Sequence, residues 1–159
     1  MNSRFQFPIA VIAAIVLDQL SKYLLLNTAG LASRPPIVLT DFFSLVMVWN
    51  HGVSFGMLAH APASWAPMLL IAVALAISLL MARLALQSPF MQERIAYGMI
   101  VGGALGNVID RIRVGAVADF FYLHLGTLGW PAFNLADSAI CIGVCILLLR
   151  MLRNSKVVP

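Results

Sequence analysis

Residues 102–139 read GGALGNVIDRIRVGAVADFFYLHLGTLGWPAFNLADSA, and they decide what kind of molecule this chain can be. Within them lie Asp110, Asp119 and Asp137, half of the 6 acidic residues in the sequence, together with Asn107, Arg111, Arg113 and Asn134. Their surroundings are largely hydrocarbon: 62% of the 159 residues are hydrophobic, 10% are charged, and mean hydropathy is +0.96. Soluble domains sit nearer to roughly 45–50% apolar and about 25% charged. The chain is an integral membrane protein, with length for one domain, residues 1–159.

Outward from this stretch, residues 95–112 form one helix whose outer half carries Gly102, Gly103, Gly106, Asn107, Asp110 and Arg111. Residues 135–152 form the next, with Asn134 as its N-cap and Asp137 in its first turn, where exposed N–H groups and the helix dipole favour a carboxylate. Residues 65–86 are a span with nothing ionisable before Arg83. Residues 8–26 are apolar except for Asp18, Gln19, Ser21 and Lys22. That run suits the bilayer core, and its polar cluster and its length argue against a cleaved signal peptide. The expected fold is therefore an all-α polytopic membrane protein of four transmembrane helices, with outer segments at 27–64 and 113–134.

Pro35-Pro36 forbids a continuous helix through the first outer segment. Its β-branched and aromatic residues from 41 to 58, interrupted by Asn50-His51-Gly52, predict a small extracytoplasmic β-rich segment between helices one and two, a hairpin turning at those three residues. Cys141 and Cys145 are four apart, which is neither a CxxC site nor a disulfide framework, and they read as small buried packing residues. Lys and Arg occur singly or in close pairs with no basic tract, so the +4 charge orients the chain in a membrane and does not track nucleic acid. With both termini cytoplasmic, Arg4, Arg83, Arg94, Arg150, Arg153 and Lys156 lie inside and outnumber Lys22, Arg34, Arg111 and Arg113 outside, as the positive-inside rule requires.

This topology brings the polar end of helix one, the polar end of helix three and the polar start of helix four to the outer membrane face. Gly103, Asn107 and Asp110 share one helical face, and Gly102 with Gly106 forms a GxxxG pair that admits a close neighbour. Asp18 and Lys22 are one turn apart, a spacing that suits an intrahelical ion pair as well as a supporting role at a site. Asp110 beside Arg111 reads as a local ion pair.

Serine chemistry would need a base beside a GxSxG elbow, and metal chemistry a set such as HExxH; neither motif occurs, and His51, His60 and His124 are scattered. Carboxylates converging on one surface remain. Two that share a water hold one proton between them, so that one activates water while the other polarises a carbonyl. Spacing leaves Asp110, Asp119 and Asp137 all open as members of such a pair. The competing class, an ion- or proton-coupled transport or binding protein, would need a polar path to the cytoplasmic face; helix two offers only Ser78, and helix four only Ser138 before Arg150.

LDQLSKYLL at 17–25, NHGVSFG at 50–56, GGALGNVIDR at 102–111, VADF at 117–120 and FNLADSA at 133–139 together resemble the bacterial lipoprotein signal peptidases, or signal peptidase II. The resemblance implies an aspartyl endopeptidase of the bacterial cytoplasmic (inner) membrane, with its active site near the outer face. Such an enzyme cuts prolipoproteins before the diacylglyceryl-modified cysteine. It implies no cofactor, no metal and no nucleic-acid partner, only prolipoprotein and membrane lipid, with the chain acting as a monomer. Carried over by motif, Asp119 and Asp137 are the catalytic dyad, and Asp18, Asn50, Gly52, Asn107, Asp110, Arg111, Asn134 and Ala136 bind substrate or support the site; Lys22, one turn from Asp18, joins them as a supporting residue by its spacing. Val53 and Ser54 replace two alanines of the family pattern, and Ala118 a valine, departures beside the pocket wall that leave the carboxylates intact.

Overall fold

A computed structural model describes residues 5–52 and 65–155. In chain order its elements are α1 (Gln6–Tyr23), a π-helical turn (Leu24–Thr28), a 3₁₀ turn (Leu31–Ser33), β1 (Ile37–Thr40), β2 (Phe43–Asn50), α2 (Ala66–Gln87), α3 (Met91–Val114), β3 (Val117–Leu125), β4 (Leu128–Gly129) and α4 (Leu135–Ser155). The four helices lie where the apolar runs predict them, and α3 extends beyond 95–112 at both ends. Local chemistry explains the boundaries. Ser88 is extended ahead of Pro89 and stops α2, and Gly115, at φ 75°, closes α3 by donating its N–H to the Arg111 carbonyl at 3.0 Å.

Helix α3 is the hub, packing against α1, α2 and α4. Among the described helices, Gln6–Thr28, Pro67–Gln87 and Leu135–Arg153 are long and apolar enough to cross a membrane, so the molecule is polytopic with at least these three spans. α3 is not among them, and its position explains why. A helix surrounded by other helices needs little lipid-compatible surface, and its buried residues include Gly98, Gly102, Gly103 and Gly106.

Those glycines set the helix spacing. A Cβ on Gly102 would lie 2.6 Å from both Ala14 Cβ and the Val11 carbonyl oxygen of α1, and one on Gly106 would lie 2.6 Å from Asp18 Oδ2. The partner admitted by the GxxxG pair is thus α1, and Gly98 extends the pattern by another turn, against Phe7 and Ala10. Cys141 and Cys145, by contrast, are exposed on α4 and not buried as packing residues. Hydrocarbon outside the bundle is as apolar as the core, so no hydrophobic drive draws them inward.

The connections from α1 to α2 and from α3 to α4 build one antiparallel sheet of order β1-β2-β3-β4. Two expectations are corrected here. The hairpin turns at Asp41-Phe42, while Asn50-His51-Gly52 forms the end of β2 and the bend beyond it. The β-rich segment expected between helices one and two is present as β1 and β2, but the connection between α3 and α4 adds β3 and β4 to it, so Asp119 stands on a strand opposite Val48 and not on a loop. Periodicity misses β3 because its first four residues, Val117 to Phe120, are all buried and show no alternation. The register slips by one residue between Leu45 and Val48, a bulge just before the end of β2 that carries Asn50.

Because α1 and α3 touch through glycine, adding bulk at Gly102 should separate them. Gly102→Val is expected to lower the unfolding free energy by about 1–3 kcal/mol, measured as a drop in thermal midpoint of the full chain in detergent.

Candidate active site

The site is organised by the first turn of α4. The Asp137 N–H donates to Asn134 Oδ1 at 3.0 Å, and the Asn134 N–H donates to Asp137 Oδ2 at 3.1 Å, a reciprocal capping box. The intervening Ala136 N–H, another orphan donor of the helix start, reaches across to Asp18 Oδ1 on α1 at 3.1 Å.

With its carbonyl oxygen in the cap, Asn134 turns its amide nitrogen outward and donates to Asp119 Oδ1 at 2.7 Å. Asn50 Nδ2 donates to the other oxygen of Asp119 at 3.0 Å, while Asn50 Oδ1 accepts the Gly52 N–H at 3.1 Å. Asn107 Nδ2 donates to Asp137 Oδ1 at 2.8 Å. Each of the four carboxylate oxygens of Asp119 and Asp137 therefore has a neutral donor, and Asn134 bonds to both residues. Strand and helix start are joined a second time through Phe121 and Phe133, which exchange backbone bonds of 2.8 and 3.0 Å.

The two carboxylates sit in unlike surroundings. Asp119 is 2% exposed beneath the sheet, and burial, followed by the negative charge of Asp137, pushes its pKa up to about 7. Asp137 is half-buried and lines a cleft of about 260 Å³. The cleft mouth carries Asn50, Gly52, Asn107 and Arg111; its wall is Leu70, Val73 and Ile77 of α2 with apolar residues of α3 and α4. Arg111 donates to the Gly52 carbonyl at 3.0 Å, with Asp137 and Asp119 both within reach of its charge.

Behind this lies a second polar cluster, nearly closed to solvent. Lys22 Nζ is 2.7 Å from Asp18 Oδ2 and 2.7 Å from Asp110 Oδ2, and 3.4 Å from Asn107 Oδ1. The intrahelical pair expected of Asp18 and Lys22 exists. The pairing expected of Asp110 with Arg111 does not: Asp110 turns to Lys22, to Gln19 Nε2 at 3.0 Å and to the Ala118 N–H at 3.3 Å. Adjacent helical residues point about 100° apart, so they face different neighbours. Gln19, which also donates to Asp18 Oδ2 at 3.1 Å, was not among the candidate site residues; its place one turn before Lys22 was the available signal.

All the remaining candidates converge: Asn50, Gly52, Asn107, Arg111 and Asp137 line the cleft, Asp119 and Asn134 are buried beside it and bonded to Asn50 and Asp137, and Asp18, Lys22, Asp110 and Ala136 lie behind. Val53, Ser54 and His60 lie outside the described residues. His124 is hydrogen-bonded on the sheet, its Nε2 2.9 Å from Ser44 Oγ. Among the described residues no cluster of His, Cys, Asp and Glu could hold a metal ion.

A polytopic bundle holding two amide-bonded aspartates, one buried and one lining an apolar cleft, has the groups that a membrane aspartyl endopeptidase needs. More particularly, a family model described as signal peptidase (SPase) II matches residues 10–153, and the chain belongs to that family. It is 44% identical to the lipoprotein signal peptidase of Azoarcus sp. over 157 residues, covering 96% of this chain and 86% of that one. To the lipoprotein signal peptidase of Beijerinckia indica it is 38% identical over 156 residues, covering 98% and 93%. Two solved structures described as bacterial membrane enzymes share its fold, with TM-scores of 0.79 and 0.73 at 24% identity, over 92% and 91% of this chain and 87% and 90% of theirs. The protein is a multi-pass inner-membrane aspartic endopeptidase.

Asn134 is cap and carboxylate donor at once. Asn134→Ala should cost about 2 kcal/mol of stability, the lost cap plus a buried oxygen left without its donor, read from thermal unfolding in detergent; an unchanged midpoint would mean α4 is capped in another way.

Proposed function

We propose that Asp119 and Asp137 are the catalytic dyad with which this enzyme removes the signal peptide from prolipoproteins, cutting before the diacylglyceryl-modified cysteine. The observation that carries the reading is Asn134, whose amide nitrogen donates to the buried Asp119 carboxyl while its backbone N–H donates to the Asp137 carboxyl that faces the cleft.

Asp119 holds the proton at rest, since its pKa lies at about 7. Asp137, in the first turn of α4 where the helix dipole favours negative charge, is the ionised partner. Asp137 takes a proton from water as its oxygen attacks the scissile carbonyl carbon, and Asp119 gives its proton to the carbonyl oxygen. The tetrahedral diol then collapses: Asp137 passes its proton to the leaving nitrogen, the C–N bond breaks, and a diol hydroxyl returns its proton to Asp119. Arg111, near both carboxylates, orients the substrate backbone together with Asn107, which also steadies Asp137. The apolar wall of Leu70, Val73, Ile77 and Ile140 accepts the hydrocarbon of the substrate.

In this reading α3 is a fourth span, shielded from lipid by its neighbours. Both termini are cytoplasmic, the cleft opens near the outer face, and the chain works as a one-domain monomer. The basic residues at the ends of the chain, and Arg83 and Arg94 on either side of the α2–α3 link, support that orientation.

Asp119→Asn and Asp137→Asn, made separately, should each lower the cleavage of lipidated prolipoprotein by the purified chain about 10²–10⁴-fold; a parental rate in either would remove that aspartate from the dyad. The pH dependence follows from the raised pKa. Below about pH 7 Asp119 keeps its proton and above it the acid is lost, so kcat/KM, which reports the free enzyme, should fall on an alkaline limb centred near 7. A rate flat through pH 8 would assign the proton elsewhere.

A further inference from the structure

Asp18 and Asp110 come from different helices, yet they do the same thing. Asp110 Oδ2 accepts the N–H of Ala118, and Asp18 Oδ1 accepts the N–H of Ala136. These are the residues immediately before Asp119 and Asp137. A single ammonium group joins the two acceptors, with Lys22 Nζ at 2.7 Å from each. Gln19 Nε2 ties the same two carboxylates together from another side, at 3.1 and 3.0 Å.

We propose that Lys22 is a positioning residue, the pin of a clamp that sets the spacing of the two catalytic aspartates through the backbone of the residue preceding each. This rests on Asp119 and Asp137 being the dyad. Lys22 does not line the substrate cleft and is 4% exposed, so it touches no reacting atom; beyond the through-space pull of its charge on Asp119, it reaches the reaction through other groups. Strand β3 and helix α4 are separate elements, and a small shift of either changes how the carboxyls share one water. The geometry also accounts for Gly106, whose missing side chain leaves the room that Asp18 Oδ2 occupies. Bringing a cation between two acids at this depth neutralises one charge and orients both acceptors, and Asn107, 3.4 Å from Nζ, links the pin to Asp137 as well.

The test measures kcat and KM of the full chain in detergent on a lipidated prolipoprotein, together with Ki for a peptide analogue bearing a secondary alcohol at the scissile position. Misplaced carboxyls should hurt the tetrahedral species and spare substrate binding. Lys22→Met should therefore keep KM within about twofold, lower kcat about 10–100-fold and raise Ki by a matching factor. A merely structural role would lower the yield of folded enzyme and leave kcat per folded molecule and Ki at parental values, and that result overturns the clamp. So does a raised KM at unchanged kcat, which would make Lys22 a substrate contact.

If Lys22→Met does not fold, the comparison of Asp110→Asn with Asp110→Leu decides. The amide retains an oxygen for the Ala118 N–H and should keep kcat and Ki closer to parental than the leucine variant does; equal values in the two refute the clamp. Neither refutation touches the dyad, which stands or falls with the Asp119 and Asp137 variants.

Discussion

The polar cluster behind the cleft depends on how one ammonium group is neutralised inside the bundle. Lys22 Nζ lies 2.7 Å from Asp18 and 2.7 Å from Asp110, with all three side chains nearly closed to solvent. Charges at such a site are tolerable only when paired and fully hydrogen-bonded, and removing one partner of a buried pair typically costs about 3–5 kcal/mol. The leftover lone pairs of the two carboxylates take backbone N–H groups, one from β3 and one from the open end of α4. Satisfying buried charge and fixing the approach of strand to helix are thus one and the same set of bonds.

That arrangement needs α1 and α3 to lie unusually close, which explains the composition of α3. Its glycines trade lipid-compatible surface for contact with α1, and at Gly106 for contact with a carboxylate. The large apolar side chains are displaced onto the outward faces of α1, α2 and α4, where Ile12, Leu79 and Leu149 are among the exposed ones. α3 can afford its polar residues because the other helices meet the hydrocarbon for it.

At the cleft a different solution is used. Asp119 and Asp137 are held by Asn50, Asn107 and Asn134, donors that orient a carboxyl without adding charge. The Asn50 and Asn134 amides and the more distant Lys22 charge pull the pKa of Asp119 down, but burial and the neighbouring Asp137 charge outweigh them and raise it to about 7; a cation bonded directly to Asp119 would pull harder. The site can so hold one acid and one base made from the same residue type.

The linear chain already carried the class of molecule and the four helices, because those follow from composition and apolar run length that need no knowledge of neighbours; spacing left Asp110, Asp119 and Asp137 open, and the choice among them came from the family resemblance of short motifs. The cap of Asn134 on Asp137 was readable for the same reason, since both partners lie within one helical turn. Other features belong to contacts between residues far apart. No local rule says that Asp110 turns from Arg111 to Lys22, that Asn50 ends a strand beside Asp119, or that a wholly buried run is a strand and not a loop. A side chain's partner is chosen by packing and by the demand that every buried donor and acceptor be met, and that demand is settled only when all the elements are in place.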